Sequence, residues 1–148
     1  MDKFKVGYST GVFDLFHIGH LNILKRAKEQ CDCLIVGVMT DELVWKCKHK
    51  KPTISFAERV EIVEAIRYVD KVVAEETLDK KEAWERLRFD AFFHGDDRRG
   101  SARYNQYEVL FEKLGVKLIF FPYTKGISST VLSELLNERL VDKEGNAE

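Results

Sequence analysis

Cys33-Leu34-Ile35-Val36-Gly37-Val38-Met39 is a near-continuous apolar run, without the alternation of a strand wetted on one side. Such a run reads as a strand covered on both faces, the usual state of a strand inside a parallel sheet. Just before it, Leu21 to Lys28 carries apolar residues at 21, 24 and 27, continued at 31, which is a helical period. Earlier still, Lys5-Val6-Gly7-Tyr8 reads as a first strand. Strand, helix and strand in about 35 residues make a βαβ unit, so the two strands run parallel.

The pattern repeats toward the C-terminus. Lys46, Lys48, His49, Lys50 and Lys51, ending at Pro52, read as a basic loop. Ser55 and Glu58 form a capping-box signature for a helix running toward Tyr68, apolar at Phe56, Val60, Val63 and Ile66. A short strand is expected at Lys71–Ala74, a helix at Lys80–Leu87, and a strand at Ala91–His94 closed by Gly95. Tyr104 to Leu114 reads as a helix with Gly115 just past its end. Val116 to Phe121 reads as a strand stopped by Pro122, and Ser128 or Ser129 caps a last helix to about Leu140. This alternation predicts one α/β domain over residues 1–140, a doubly wound, mostly parallel five-stranded sheet, with a polar tail at 141–148.

Composition narrows the class of protein. A chain of 148 residues, 45% of them hydrophobic, is long enough to bury a core, and disorder is not its default state. A net charge of −1 gives no general pull toward nucleic acid or a membrane surface. No apolar run approaches the ~20 residues of a membrane-spanning helix. Met1 to Val6 enters a strand pattern at once and does not read as a signal peptide, which points to the cytoplasm. The cysteines are Cys31, Cys33 and Cys47, an odd set that makes no disulfide framework. With His49 they could be imagined as zinc ligands, but C-x-C is unusual spacing for a structural site, and small buried hydrophobes are the preferred reading.

Ligands of doubly wound sheets bind at the carboxyl ends of the strands, near a switch in strand order. The informative loops, 9–20, 46–51, 94–100 and 122–130, all follow strands and are expected to gather on one edge. In the first, Gly11 permits a tight turn and Gly19 lets a phosphate approach the backbone of a helix start. His17 and His20 lie three apart and share a face there, so two imidazoles can donate to one phosphate. A lone histidine in such a place is more often a cap or surface residue; two bracketing a glycine favour function. Lys48 and Lys50 offer cations, although a lysine run is often only a solvated loop. Arg59 and Arg67, eight apart, either face the site or lie on the surface. Asp96 and Asp97 could hold Mg²⁺, cap a helix or bond a ribose. Gly126 followed by Ser128, Ser129 and Thr130 makes a second anion site, where a plain N-cap explains only one hydroxyl.

With these loops in view, the chain resembles the cytidylyltransferases that join CTP to a phospho-alcohol. The likeness rests on Gly11-Val12-Phe13-Asp14-Leu15-Phe16-His17-Ile18-Gly19-His20, on Arg67-Tyr68-Val69-Asp70, on Gly95-Asp96-Asp97 and on Gly126-Ile127-Ser128-Ser129-Thr130, and spans roughly residues 5–136. It implies a homodimer of Rossmann-like subunits that releases pyrophosphate with Mg²⁺ accompanying the nucleotide phosphates, and it names no protein metal ligand. It implies His17, His20 and Lys48 as catalytic residues, the histidines stabilising the transition state at the α-phosphate. Thr10, Gly11, Val12, Phe13 and Gly19 then contact the nucleotide, Asp96 and Asp97 the cytosine or ribose, and Thr124, Gly126, Ile127, Ser128, Ser129 and Thr130 the triphosphate. Lys48 and Lys81 reach the phosphorylated acceptor. The family's last motif reads R-T-x-G-I-S-T-[ST]; here Tyr123 stands at the arginine and Ser129 at a threonine. Two other readings remain: an adenylyltransferase of the same fold using ATP, and a catalytically weak nucleotide-binding regulator.

Overall fold

Phe4–Gly11 forms β1 and becomes the centre of a five-stranded sheet. The computed structural model describes residues 3–122 and 129–145, with side chains in the last helix for 130–138. Along the chain follow α1 (Ile18–Glu29), β2 (Cys31–Met39), α2 (Asp41–Lys48), α3 (Phe56–Glu64), β3 (Lys71–Glu75), α4 (Lys80–Leu87), β4 (Ala91–Gly95), a short 3-10 turn (Asp96–Arg98), α5 (Ala102–Leu114), β5 (Lys117–Phe121) and α6 (Ser129–Gly145). The strand order is β3-β2-β1-β4-β5, and every neighbouring pair is parallel. Tyr8 lies opposite Ile35 on one side and Phe92 on the other.

The apolar run of β2 has the double-sided burial its composition demands. Leu34, Val36 and Val38 pack on one face with Leu24 and Ala27 of α1 and Val63 of α3. Ile35 turns to the other face, with Tyr8, Phe92, Ala83 of α4 and Phe111 of α5. Each fully buried side chain of this kind contributes about 1.5–3 kcal/mol. Helices α1 and α3 therefore cover one face and α4 and α5 the other, as right-handed crossovers require once the connection from β3 to β4 reverses direction. That reversal puts the switch in strand order between β1 and β4. Ser9 Oγ donates to the Phe93 carbonyl at 2.8 Å across this junction.

Three elements depart from expectation. Residues 41–48 form a helix, so Lys46 and Lys48 of the expected 46–51 loop are helical. Thr40 Oγ1 accepts from Leu43 N at 3.1 Å, Asp41 and Glu42 occupy the first turn and Lys46 and Lys48 the last, so cap and charges agree with the helix dipole. Helix α3 stops at Glu64, short of Tyr68, so Arg67 lies off the helix with its guanidinium 5.1 Å from the Tyr68 ring. At the other end, α6 continues to Gly145, past the expected end near Leu140. Gly115 closes α5 at φ +75°, as anticipated.

Candidate active site

Outside the carboxyl ends of β1 and β4, at the reversal of strand order, lies a cavity of about 270 Å³. The β1–α1 loop supplies Thr10 to Asp14, His17, Gly19 and His20; the end of α2 supplies Lys48; the segment after β4 supplies Gly95 and Asp97; α6 supplies Thr130. Three of the four expected loops thus meet, joined by the start of α6. Tyr123, Thr124, Gly126, Ile127 and Ser128 lie outside the described residues, as does the Ser129 side chain.

The two histidines are tied to the start of α1. His17 is its N-cap: its Nδ1 accepts from Gly19 N at 3.0 Å. His20 Nδ1 accepts from His17 N at 3.2 Å, closing a reciprocal capping box made of imidazoles. Their rings lie 4.0 Å apart. A ring nitrogen that accepts from an amide carries no proton, so in each neutral ring the proton sits on Nε2. Burial lowers the pKa of His17, and burial followed by the His17 ring lowers that of His20 to about 3. Both are neutral Nε2–H donors near pH 7.

The loop before them is held in an uncommon shape. Phe13 (φ +56°) and Leu15 (φ +50°) occupy the left-handed region, where a non-glycine residue costs on the order of 1–3 kcal/mol. The anchors that hold this shape lie nearby. The Phe13 ring is buried beside Phe16 and His20, at 6.3 and 5.4 Å. Asp14 accepts from Thr53 N at 2.8 Å and Ile54 N at 2.9 Å. Arg59, only 1% exposed, donates from Nη1 to the carbonyls of Val12 and Met39, both at 2.7 Å, and from Nη2 to Asp41 at 2.7 Å. Arg59 is therefore a brace under the loop, neither a surface residue nor a ligand contact. Gly11 serves close approach rather than a turn: a Cβ there would lie 3.2 Å from the Phe13 ring.

Lys48 ends α2 at the cavity. Burial lowers the pKa of its ammonium, and the neighbouring Arg98 and Lys50 lower it further. Those cations raise the local potential for an anion. Asp97 borders the cavity, whereas Asp96 does not. Lys81 is exposed and outside the lining; its neighbour Lys80 lines the cavity instead. Lys80 Nζ meets Glu75 Oε2 at 2.6 Å, both side chains buried, 5.5 Å from the rings of Phe92 and of Tyr107. Sequence reading missed Lys80, Glu75, His94, Tyr104 and Tyr107 as lining residues. One signal was available: Lys80 opens α4, where the helix dipole disfavours a cation unless a carboxylate answers it. The cysteines are free, with Cys31 buried and its Sγ donating to the Ala27 carbonyl at 3.3 Å. Among the described residues no three His, Cys, Asp or Glu side chains gather as a metal cage.

A family model described as cytidylyltransferase-like matches residues 8–134. The glycerol-3-phosphate cytidylyltransferase of Bacillus subtilis is 38% identical over 125 residues, 84% of this chain and 91% of that protein. An FAD synthase of Pyrococcus abyssi is 40% identical over 114 residues, 76% of this chain and 77% of its own length. The ethanolamine-phosphate cytidylyltransferase of Dictyostelium discoideum is 38% identical over 84% of this chain but only 34% of its own length. Among solved structures, the lipopolysaccharide core biosynthesis protein of Thermoplasma volcanium superposes with a TM-score of 0.69 at 23% identity, over 84% of this chain and 99% of that one. At that identity the likeness is one of fold.

Proposed function

The chain belongs to the cytidylyltransferase-like family of nucleotidyltransferases, and from that premise we propose that it transfers CMP from CTP to a small phosphorylated alcohol. An oxygen of the acceptor phosphate forms a bond to the α-phosphorus of CTP. The bond from that phosphorus to the bridging oxygen breaks, and pyrophosphate leaves with the electron pair. The nucleophile is already an anion, so no general base is needed, and catalysis is positioning plus charge stabilisation. His17 and His20 donate their Nε2–H groups to the α-phosphate oxygens, where charge builds in the transition state. The positive end of the α1 dipole adds to this. Lys48 bridges the α-phosphate and the acceptor phosphate. Thr130 and the preceding 124–129 segment hold the rest of the triphosphate.

Mg²⁺ suits this donor set. It commonly takes one or two carboxylates plus phosphate oxygens, and Asp97 is a carboxylate at the cavity. When bound, it would neutralise charge on the departing pyrophosphate. The Asp97 carboxylate also has the chemistry to accept from a ribose hydroxyl or the cytosine amino group.

The observation that carries this reading is the histidine capping box, which leaves Nε2–H as the donor on two residues lining one cavity that Thr130 also borders. The test is a pyrophosphate-release panel crossing four nucleotides with glycerol 3-phosphate, phosphoethanolamine and phosphocholine. CTP with one phospho-alcohol is expected. The FAD synthase relatives supply the second reading, since FAD carries an adenylyl unit, and release from ATP alone would establish it. Tyr123→Arg is expected to tighten CTP binding by restoring a permanent cation; unchanged or weaker binding assigns Tyr123 another role. We also propose a cytoplasmic homodimer, with sedimentation as the check on assembly. Among the described residues no helix is long and apolar enough to cross a membrane.

A further inference from the structure

We infer that His94 is a specificity-determining residue whose Nε2 accepts a hydrogen bond from a hydroxyl of the phosphorylated acceptor. The inference rests on the transfer reaction proposed above. His94 sits near the end of β4, its ring stacked 6.4 Å from Phe92 at 11° and 5.0 Å from Tyr104. Its Nδ1 lies 3.1 Å from the Gly95 carbonyl oxygen. A carbonyl oxygen only accepts, so Nδ1 carries the proton and Nε2 presents a lone pair. Among the described residues no hydrogen bond to Nε2 is found, and His94 lines the cavity. Burial keeps the ring neutral against the pull of the Gly95 carbonyl and Asp97.

The cavity therefore holds two kinds of neutral imidazole. His17 and His20 offer protons, which phosphate oxygens need. His94 offers a lone pair, which repels phosphate oxygens and calls for a hydroxyl. Its surroundings point to the acceptor's organic part. His20 lies beside Phe13, which packs on the α1 face of the sheet, with His17 next to it, whereas Phe92, Tyr104 and Tyr107 stand on the α4 and α5 face. On that second face the Lys80 charge is already matched by Glu75 at 2.6 Å, and the Tyr107 hydroxyl is spent on the Leu78 carbonyl at 3.1 Å. Arg98 and Arg103 also line the cavity and act on His94 and Tyr107, so they can hold the acceptor phosphate while His94 meets its hydroxyl-bearing body.

His94→Phe keeps the ring stack and removes the lone pair. His94→Gln returns an acceptor oxygen near the position of Nε2. The probes are glycerol 3-phosphate and 1-propyl phosphate, which has the same phosphate and no free hydroxyl, at saturating CTP. His94→Phe is expected to raise KM for glycerol 3-phosphate about tenfold, the order of one lost hydrogen bond. KM for propyl phosphate and for CTP should move less than twofold, and His94→Gln should recover most of the loss. Equal changes for both acceptors, a change in CTP alone, or no change overturns the inference; a change in CTP alone gives His94 to the nucleoside. A wild-type protein that turns over no phospho-alcohol with CTP refutes the transfer reaction and this inference together. An active wild type with an unaltered His94→Phe refutes this inference alone. Nitrogen-15 histidine spectra of the wild type add a readout that needs no variant to fold. His94 should be the Nδ1–H tautomer, opposite to His17 and His20, and its Nε2 signal should shift with glycerol 3-phosphate but not with propyl phosphate. An Nε2–H tautomer sinks the idea.

Discussion

His20 couples the site to the acid stability of the fold. Its pKa is about 3 in the folded chain, against an ordinary value of 6.5. Between those values the unfolded chain binds a proton that the folded chain refuses, so this residue's contribution is complete above about pH 6.5 and is lost as pH falls toward 3. The loss should reach on the order of 2–3 kcal/mol by pH 4. Urea unfolding at pH 7, 6, 5 and 4 should show that slope in the wild type and a shallower one in His20→Gln. His17 allows cap and chemistry to be separated. Asparagine is a good N-cap, so His17→Asn should melt within a few degrees of the wild type while its kcat falls about 10²-fold through the missing donor. A melting temperature that drops with activity would mean that His17 acts through the helix alone.

At the level of elements, Arg59 ties the end of β2, the start of α2, the turn before α3 and the β1–α1 loop together through Met39, Asp41, Ile54 and Val12. Arg59→Met should cost about 3 kcal/mol, read from the shift in urea midpoint, because it strips a half-buried ion pair and several carbonyls at once. CTP affinity should fall too, since the left-handed residues Phe13 and Leu15 lose their support. The strands and α5 were readable because burial on both faces and a terminal glycine write themselves into composition. Helix α2 was missed although Thr40, Asp41 and Glu42 announce its start, because the lysines at its end read as solvent. The brace made by Arg59 was not readable: its partners lie up to 47 positions away and are mostly carbonyls, which leave no trace in residue types. Lys80 and Glu75 escaped for a related reason, since they meet only after β3 and α4 fold against each other.

For the molecule as a whole, alternation of strand and helix revealed the sheet, and the loops following strands revealed the edge that carries the cavity. Strand order was not legible, because nothing local says that β4 returns to the side of β1 rather than adding beyond β3. Ligand linkage follows from this placement. CTP with Mg²⁺ at a hundred times its dissociation constant should add about 2.7 kcal/mol to stability, a rise of roughly 5–10 °C in Tm for a domain of this size. Chelating the metal should remove most of that rise.

β1 also shapes how the chain reaches its native state. Its pairing with β2 is local, but its other edge waits for partners 84 positions onward, as the Ser9–Phe93 bond shows. Until synthesis passes Gly95, any pairing among β3, β2 and β1 leaves the future centre of the sheet as an unpaired border. Such a border is where two growing chains can stick together. Refolding yield should therefore fall with protein concentration more steeply than the modest size of the domain suggests.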